Sequence, residues 1–447
     1  MLARIVIENF LSFREETEFN MFAGNFKTHK THVYDMPVKL LRSAAIYGAN
    51  GAGKSNLIKA IEYLQLIISN GGIRTSINSK KFKLDKDFLS KPVFFEIELL
   101  LENKFYSYGV KIDGTTILEE WLYETGNIKD DKLIFHRISS TKGKTKITTA
   151  SKFVKSAKNK LLIELLEENL LKNNELLLSK DSELKFDVVT NFKNVLLENI
   201  VIIHPQSKYK NLTPHISVSD EFRTFSNSLL KTFDTGVEEL KIEEFEFDKY
   251  FGEDDEDLKG GLLSDLEDNE GVLMYHKGCD LFITKTEEEE VVVRKLLSQH
   301  IDKDGNSISF DLEEESDGTQ RLLDFIPALS GVLNERMTFI IDEIDQSLHP
   351  ALLKALISKI MNEPETKGQL VFTTHESNLL DLDIFRQDEV WFVEKDSEIK
   401  CSRLYSLSEF KPRYDLDIRR GYLKGRFGGI PFLANLEELN WSEYEQS

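Results

Sequence analysis

Cysteine is scarce in this sequence: among 447 residues there are only Cys279 and Cys401, far apart and outside any CxxC spacing. That argues against a disulfide framework or a cysteine-bound metal and suits a reducing cytoplasm, with both thiols read as small buried hydrophobes. No run of about eighteen apolar residues occurs, so a helical membrane span is not expected. The opening MLARIVIENFLSF lacks the charged-then-apolar layout of a secretion signal. Positive charge is also short, with 57 Lys and Arg against 77 Asp and Glu for a formal net charge of −20. Passive nucleic-acid coating normally needs a basic chain, because phosphate neutralisation supplies the affinity. The charge therefore speaks against simple coating and leaves open a local basic groove.

What is present is ordinary for a globular chain, 40% hydrophobic and 30% charged. The length suits two or three units of roughly 100–200 residues. Ile5, Ile7 and Phe10 alternate with polar neighbours as a half-buried strand would. KLLRSAAIYG, ending at Gly48, reads as a buried strand, after which GANGAGKSNLIKAIEYLQLII changes to helical periodicity. From Pro92 to Ile138 four apolar-polar runs predict antiparallel strands, the first two a hairpin. From Lys152 to Asn199 the pattern turns helical and Leu-rich, too short for a long coiled-coil arm. The acidic runs Glu253–Asp257 and Glu287–Glu290 read as solvated loops or hairpin tips, with a charged partner surface as the alternative. From Ser316 an α/β rhythm returns: a helix from near Gln320, a strand RMTFIIDE, a helix HPALLKALISKIM and a strand GQLVFTTH, with WFVEK and CSRLYSL as two more strands.

The chemistry gathers at strand ends. Gly48-Ala49-Asn50-Gly51-Ala52-Gly53-Lys54-Ser55 fits GxxxxGK[ST] between a predicted strand and a predicted helix, the context this motif requires. Its glycines let backbone N–H groups turn inward around phosphates, and the helix start adds a favourable dipole. Lys54 would reach the β- and γ-phosphates of ATP and Ser55 would ligate Mg2+; Asn56 is counted with the nucleotide-contacting residues. The run Phe339-Ile340-Ile341-Asp342-Glu343 ends a buried strand in two carboxylates: Asp342 as a Mg2+ ligand, Glu343 as general base for the attacking water. His375 ends a further apolar strand and reads as a sensor of the γ-phosphate, donating from a neutral imidazole. Ser316-Asp317-Gly318-Thr319-Gln320 precedes a helix, so Ser316 and Gly318 form either a second anion site or an ordinary N-cap.

These four elements in this order resemble ABC-type ATPases, and IVIENFLSF, GANGAGKSN and SDGTQ resemble SMC and RecF-like heads more than transporters. The resemblance implies an α/β fold: an ABC/SMC-like P-loop NTPase head with a central parallel sheet, an antiparallel lobe and an inserted helical region. The expected division is 1–150, 151–305 and 306–447, the first and last parts building one head. It further implies that Ser316 and Gly318 of one subunit close over the γ-phosphate held by another, so that the chain is its own partner in a dimer or larger assembly. Asp345 matches the position that communicates between the two sites. Gln206, ending NIVIIHPQ, is the candidate Q-loop glutamine and metal contact, or else an uninvolved loop residue.

A narrower likeness runs through ESDGTQRLLDFIPAL, FIIDEIDQSLHP, TTHESNLLD, VWFVEKD and YLKGRFGGIP, which resemble bacterial AAA_15-type or OLD-like ATPases. That group includes the ATPase subunits of anti-phage systems such as PARIS and of modules with HNH nucleases. OLD nucleases carry a Toprim domain after the ATPase. Here the chain continues from His375 only to Ser447, and Asp381 and Asp383 read as loop or helix start, so a separate Toprim-like or HNH nuclease is the expected effector. The alternative function is a RecF-like ATPase that clamps or repairs DNA. Lys411, Arg413, Arg419, Arg420, Lys424 and Arg426 crowd the C-terminal segment, either paired within this acidic chain or forming a nucleic-acid or partner surface.

Overall fold

A computed structural model describes residues 1–447 apart from 37, 127–130, 141–143, 152, 209–211, 253–254, 277, 414–415 and 430–447. Glu253 and Asp254 of the acidic stretch, and Ile430 and Pro431 of the C-terminal phrase, thus lie outside the described residues. The chain divides into two compact units, one of Met1–Ile203, Arg336–Ile344 and Ile357–Ser447, the other of His204–Glu335 and Asp345–Leu356.

The first unit opens with strands β1 (Leu2–Glu8), β2 (Thr17–Asn20), β3 (Val33–Tyr34), β4 (Leu40–Leu41) and β5 (Ser43–Gly48). There follow β6 (Val93–Leu101), β7 (Lys104–Asp113), β8 (Thr116–Thr125), β9 (Lys132–Ser139), β10 (Thr145–Thr149) and β11 (Ile200–Ile203). The second unit holds β12 (Glu239–Glu246), β13 (Gly271–His276), β14 (Cys279–Lys285), β15 (Val291–Ile301) and β16 (Ser307–Asp311). The chain then returns to the first unit for β17 (Thr338–Ile341), β18 (Gln369–Thr374), β19 (Val390–Lys395) and β20 (Ser402–Ser406).

Two sheets build the first unit. One has the order β10-β9-β8-β7-β6-β1-β2 and is antiparallel throughout. The other, β11-β17-β18-β5-β19-β20, is parallel except for β20. Strands of a parallel sheet are covered on both faces and read as continuous apolar runs, which is why β5, β17 and β18 are buried at every residue. The helix Lys54–Ser69 carries Leu57, Ile58, Ile61, Leu64 and Ile68 at helical spacing into the core shared with Ile46, Ile340 and Val371. Buried Gln369 joins the two sheets, donating to the carbonyls of Leu2 and Leu41 (3.0 Å each) and accepting from the Leu2 N–H (2.8 Å).

The inserted region needs a correction. Helices, among them Ala157–Leu165 and Asp187–Glu198, dominate it only as far as Glu198. NIVII then supplies β11, an edge strand of the parallel sheet, and residues 239–311 form an antiparallel sheet in the order β12-β15-β14-β13, with β16 also on β15. Two further helices, Leu212–Val218 and Asp220–Thr232, belong to the second unit and pack into its core with Leu296, Leu322 and Ile326. Glu287–Glu290 turn the chain between β14 and β15, whereas Glu256 and Asp257 open the helix Glu256–Asp268.

The Leu-rich strap Leu171–Lys180 is pinned to the antiparallel sheet by a buried charge cluster. Glu120, fully buried, accepts from the N–H groups of Leu177 (2.7 Å) and Leu178 (2.9 Å) and from the Tyr108 hydroxyl (3.1 Å). Arg137, also fully buried, lies 3.6 Å from Glu120 and donates to the carbonyls of Lys172 (3.1 Å) and Glu175. Burial pushes the Glu120 carboxyl up, against the opposing pull of Arg137 and the two amides. Removing one member of such a cluster strands the other charge in a dry site. Arg137→Met is therefore expected to lower stability by about 3 kcal/mol, seen as an earlier urea unfolding midpoint; an unchanged midpoint would show the cluster to be energetically idle.

Candidate functional site

The carboxyl edge of the parallel sheet carries the predicted residues of the first unit. β5 ends at Gly48, where an added Cβ would lie 2.4 Å from the Val393 carbonyl oxygen, so only glycine lets β19 approach this closely. The loop then turns through Gly51 and Gly53 at φ +75° and +119°, backbone conformations natural to glycine. A Cβ at Gly53 would meet the Ser402 hydroxyl oxygen at 2.2 Å and that of Ser12 at 2.8 Å. The helix begins at once with Lys54 and Ser55.

Lys54 is 5% exposed. Its ammonium donates to the carbonyls of Gly48 (2.8 Å) and Ala49 (3.3 Å) and is hydrogen-bonded to His375 Nε2 at 2.9 Å. His375 follows β18, the direct neighbour of β5, and its ring is exposed. β17 lies on the other side of β18, and Asp342 directly follows it, 4% exposed. The Thr373 hydroxyl donates to Asp342 Oδ1 (2.6 Å) and accepts from the N–H of Glu343 (2.8 Å). Glu343 itself sits at φ 52°, a left-handed conformation uncommon outside glycine. The Ile344 N–H bonds the Thr373 carbonyl at 3.0 Å, so three successive residues of the acidic turn are tied to one threonine.

Sequence reasoning missed this threonine and a second support behind the loop. Ser402 donates from its hydroxyl to the Ala52 carbonyl, and from its N–H to the Ser12 carbonyl (2.7 Å). The two serine hydroxyls are 2.7 Å apart, and Asn56 Nδ2 donates to the Ser12 hydroxyl at 2.7 Å. Ser12 comes from the IVIENFLSF opening and Ser402 from β20, 390 positions apart. No local pattern links them, so only the fold could bring them to the loop.

Gln206, Ser316, Gly318 and Asp345 belong to the second unit. Gln206 lies in the turn closed by His204 and Ser207, just after β11. Ser316 is the N-cap of the helix Asp317–Asn334, three residues earlier than predicted from Gln320; its hydroxyl accepts from the Thr319 N–H at 3.2 Å. A Cβ at Gly318 would come to 3.0 Å from the Ser347 carbonyl, so within this unit the SDGTQ turn adjoins the segment that carries Asp345. Lys411, Arg413, Arg419, Arg420, Lys424 and Arg426 are all exposed.

The residues fit a magnesium nucleotide. A loop with glycine at its strained positions and a lysine at the helix start suits phosphate oxygens. Ser55 and Asp342 offer a hydroxyl and a carboxylate, hard donors for a hard cation. Among the described residues no group of three or more His, Cys, Asp or Glu could hold a metal by itself. Magnesium matches that sparse set, since it commonly keeps water and substrate phosphate among its ligands.

A strand, glycine loop and helix within a parallel sheet, with His375 after the neighbouring strand β18 and Asp342 after the next one, β17, define an α/β P-loop nucleotide-binding ATPase. The chain belongs to the AAA_21 family, described as "AAA domain, putative AbiEii toxin, Type IV TA system", whose model matches residues 43–381. None of the curated proteins matches it significantly. Among solved structures it is similar to the SMC head domain from Thermotoga maritima, at 12% identity and a TM-score of 0.41, over 91% of this chain and 98% of that one. It is also similar to the Smc head domain with an extended coiled coil bound to the C-terminal domain of ScpA, derived from Pyrococcus furiosus: 13% identity, TM-score 0.37, 92% and 97% covered. Among the described residues no helix is long and apolar enough to cross a membrane.

Proposed function

We propose that this chain is a regulatory ATPase of the cytoplasm, which closes on ATP as a dimer or larger assembly and thereby controls a separate effector, a Toprim-like or HNH nuclease, in anti-phage defence. The observation that carries the reading is the 2.9 Å contact between Lys54 and His375 at the same end of adjacent strands. Two groups that close can address one phosphate, Lys54 by charge and His375 as a donor. Ser55 and Asp342 would hold a magnesium ion, and Thr373 fixes the Asp342 carboxylate that would do so. Glu343 takes a proton from the attacking water.

A ligand shifts a two-state equilibrium only through its different affinity for the two states. Ser316 and Gly318 of a second copy, closing over the γ-phosphate, supply that difference, and hydrolysis at Glu343 removes it. Asp345, beside the SDGTQ turn, carries the state of one site to the other. The toxin and type IV toxin–antitoxin terms in the family description agree with a role in a defence module, as does the phrase-level likeness to OLD-like and PARIS ATPases. Both cysteines are free and buried, in keeping with a reducing compartment.

The test is a tagged Glu343→Gln chain, recovered from its native cell with and without ATP and weighed by light scattering. ATP is expected to raise the assembly mass at least twofold and to change which nuclease-like protein is retained. A mass and a set of partner proteins indifferent to ATP would remove the regulatory reading while leaving the ATPase itself intact.

A further inference from the structure

The C-terminal segment carries chemistry that nucleotide hydrolysis does not use. The helix Ile418–Leu423 buries Ile418 and Tyr422, one helical turn apart, and turns Arg419, Arg420 and Leu423 outward. Its buried face is anchored on the sheet that carries the phosphate loop. The Tyr422 ring stacks on Phe392 of β19 at 5.5 Å and 18°, and meets Tyr47 of β5 at 6.1 Å. Phe427 lies parallel to Phe392 at 5.9 Å and 8°. The segment is therefore a fixed platform, held by stacked rings.

On this platform sit cations that make no ion pair among the described residues. Lys411, Arg419, Arg420, Lys424 and Arg426 are exposed and pair with no acid among the described residues. In a chain with a net charge of −20, elsewhere rich in ion pairs such as Arg137–Glu120 and Arg386–Asp388, so many such cations in one short stretch are not explained by internal pairing. Of the acids in the same stretch, Asp417 is used as the helix N-cap and accepts from the Arg420 N–H at 2.8 Å, and Glu409 accepts from the Ser406 N–H at 2.8 Å; Asp415 lies outside the described residues.

The second observation is aromatic. Phe410 is 44% exposed, and its ring rests edge-on against Phe427 (5.4 Å) and beside Tyr405 (5.6 Å). Lys411 follows it directly, and the Arg426 guanidinium lies 5.7 Å from the Phe427 ring. A supported, solvent-facing ring among exposed lysines and arginines is the combination that holds an unpaired base by stacking while cations follow its backbone. An acidic polypeptide would use the charges but leave the ring without a task, and duplex DNA hides its base faces.

From these two features together we infer that the face formed by Phe410, Lys411, Arg419, Arg420, Lys424 and Arg426 binds single-stranded nucleic acid, largely without regard to sequence. The phosphodiester backbone lies along the cations and a base stacks on Phe410. The inference stands apart from the effector proposed above, because it concerns a different surface and needs no second protein.

Fluorescence anisotropy with a labelled oligothymidylate of about 20 nucleotides, longer than the ~4–16 that a single-strand-binding OB fold covers, tests it on the full-length chain. Five phosphate contacts predict that affinity falls about 10²-fold between roughly 50 and 200 mM salt. Charge reversal at Arg419, Arg420 and Lys424 together is expected to weaken binding at least about tenfold, and Phe410→Ala about tenfold. Unchanged ATP turnover and thermal midpoint in the charge-reversal variant show that the loss is local. Equal affinity of wild type and that variant would overturn the assignment. So would equal binding of duplex and single strand, which leaves stacking no part. Displacement by polyglutamate as readily as by unlabelled oligothymidylate would transfer the face to an acidic protein.

Discussion

Lys54→Ala is expected to lose ATP binding, by at least ~10²-fold in Kd, as two charge-assisted hydrogen bonds of about 1.5–3 kcal/mol each disappear. The side chain is buried, and its ammonium is held between the carbonyls of Gly48 and Ala49 and the His375 ring. Truncation removes the only formal positive charge that the GANGAGKS segment brings to the phosphates. The loop's shape survives it, because Gly51, Gly53 and the Ser402 bond to the Ala52 carbonyl do not depend on Lys54. Calorimetric titration of the folded variant with ATP and magnesium reads the effect directly. Ordinary affinity in a variant with the wild-type melting profile would mean that the glycine loop is structural and that the nucleotide site lies elsewhere.

The parts of the site that lie on buried parallel strands are legible in the amino-acid sequence itself. Continuous apolar runs such as SAAIYG, TFII and QLVFTT can hardly be anything but covered strands, and a chemical residue at the end of each is conspicuous. The sheet order then places those ends side by side, which the sequence implies only through resemblance. Thr373 is hidden because a threonine in an apolar strand reads as a β-former, and nothing local reveals that its hydroxyl spans to Asp342. Ser12 and Ser402 are hidden by their separation along the chain.

The second unit shows the opposite limit. β12 reads ELKIEEFE, with charges on both faces around Glu243 and Glu244, and only Leu240 is buried. β16 is exposed from Ser307 to Phe310. Both are strands because the long β15, buried at Val292, Val293, Leu296 and Leu297, offers its backbone on either side. Side-chain periodicity reports burial rather than pairing, so a strand held mainly by its backbone ladder leaves little trace in sequence. The helical reading of the insert fails at that point. It succeeds in the Leu-rich stretch before Glu198, where the apolar spacing does correspond to a buried helix face at Val189, Phe192 and Leu196.

Glu343→Gln separates binding from hydrolysis, and its turnover is expected to fall at least ~10²-fold while ATP affinity is kept, the usual scale for losing a general base. Glutamine matches glutamate in shape, so the left-handed turn at φ 52° and the bond from the residue's N–H to Thr373 remain. What is lost is only the basic lone pair that accepts the proton from water. Asp342 keeps its carboxylate and its own bond from the same threonine, so the proposed metal ligand is untouched. The two acids are adjacent in sequence yet differ in burial, Asp342 being 4% exposed and Glu343 half-buried. That difference agrees with the roles proposed for them, the metal for Asp342 and the water for Glu343, since a group that activates solvent must meet it. Single-turnover assays with ATP prebound resolve the chemical step from release. Wild-type rates there would move the base to another residue, and the exposed ring of His375 beside Lys54 would be the first to examine.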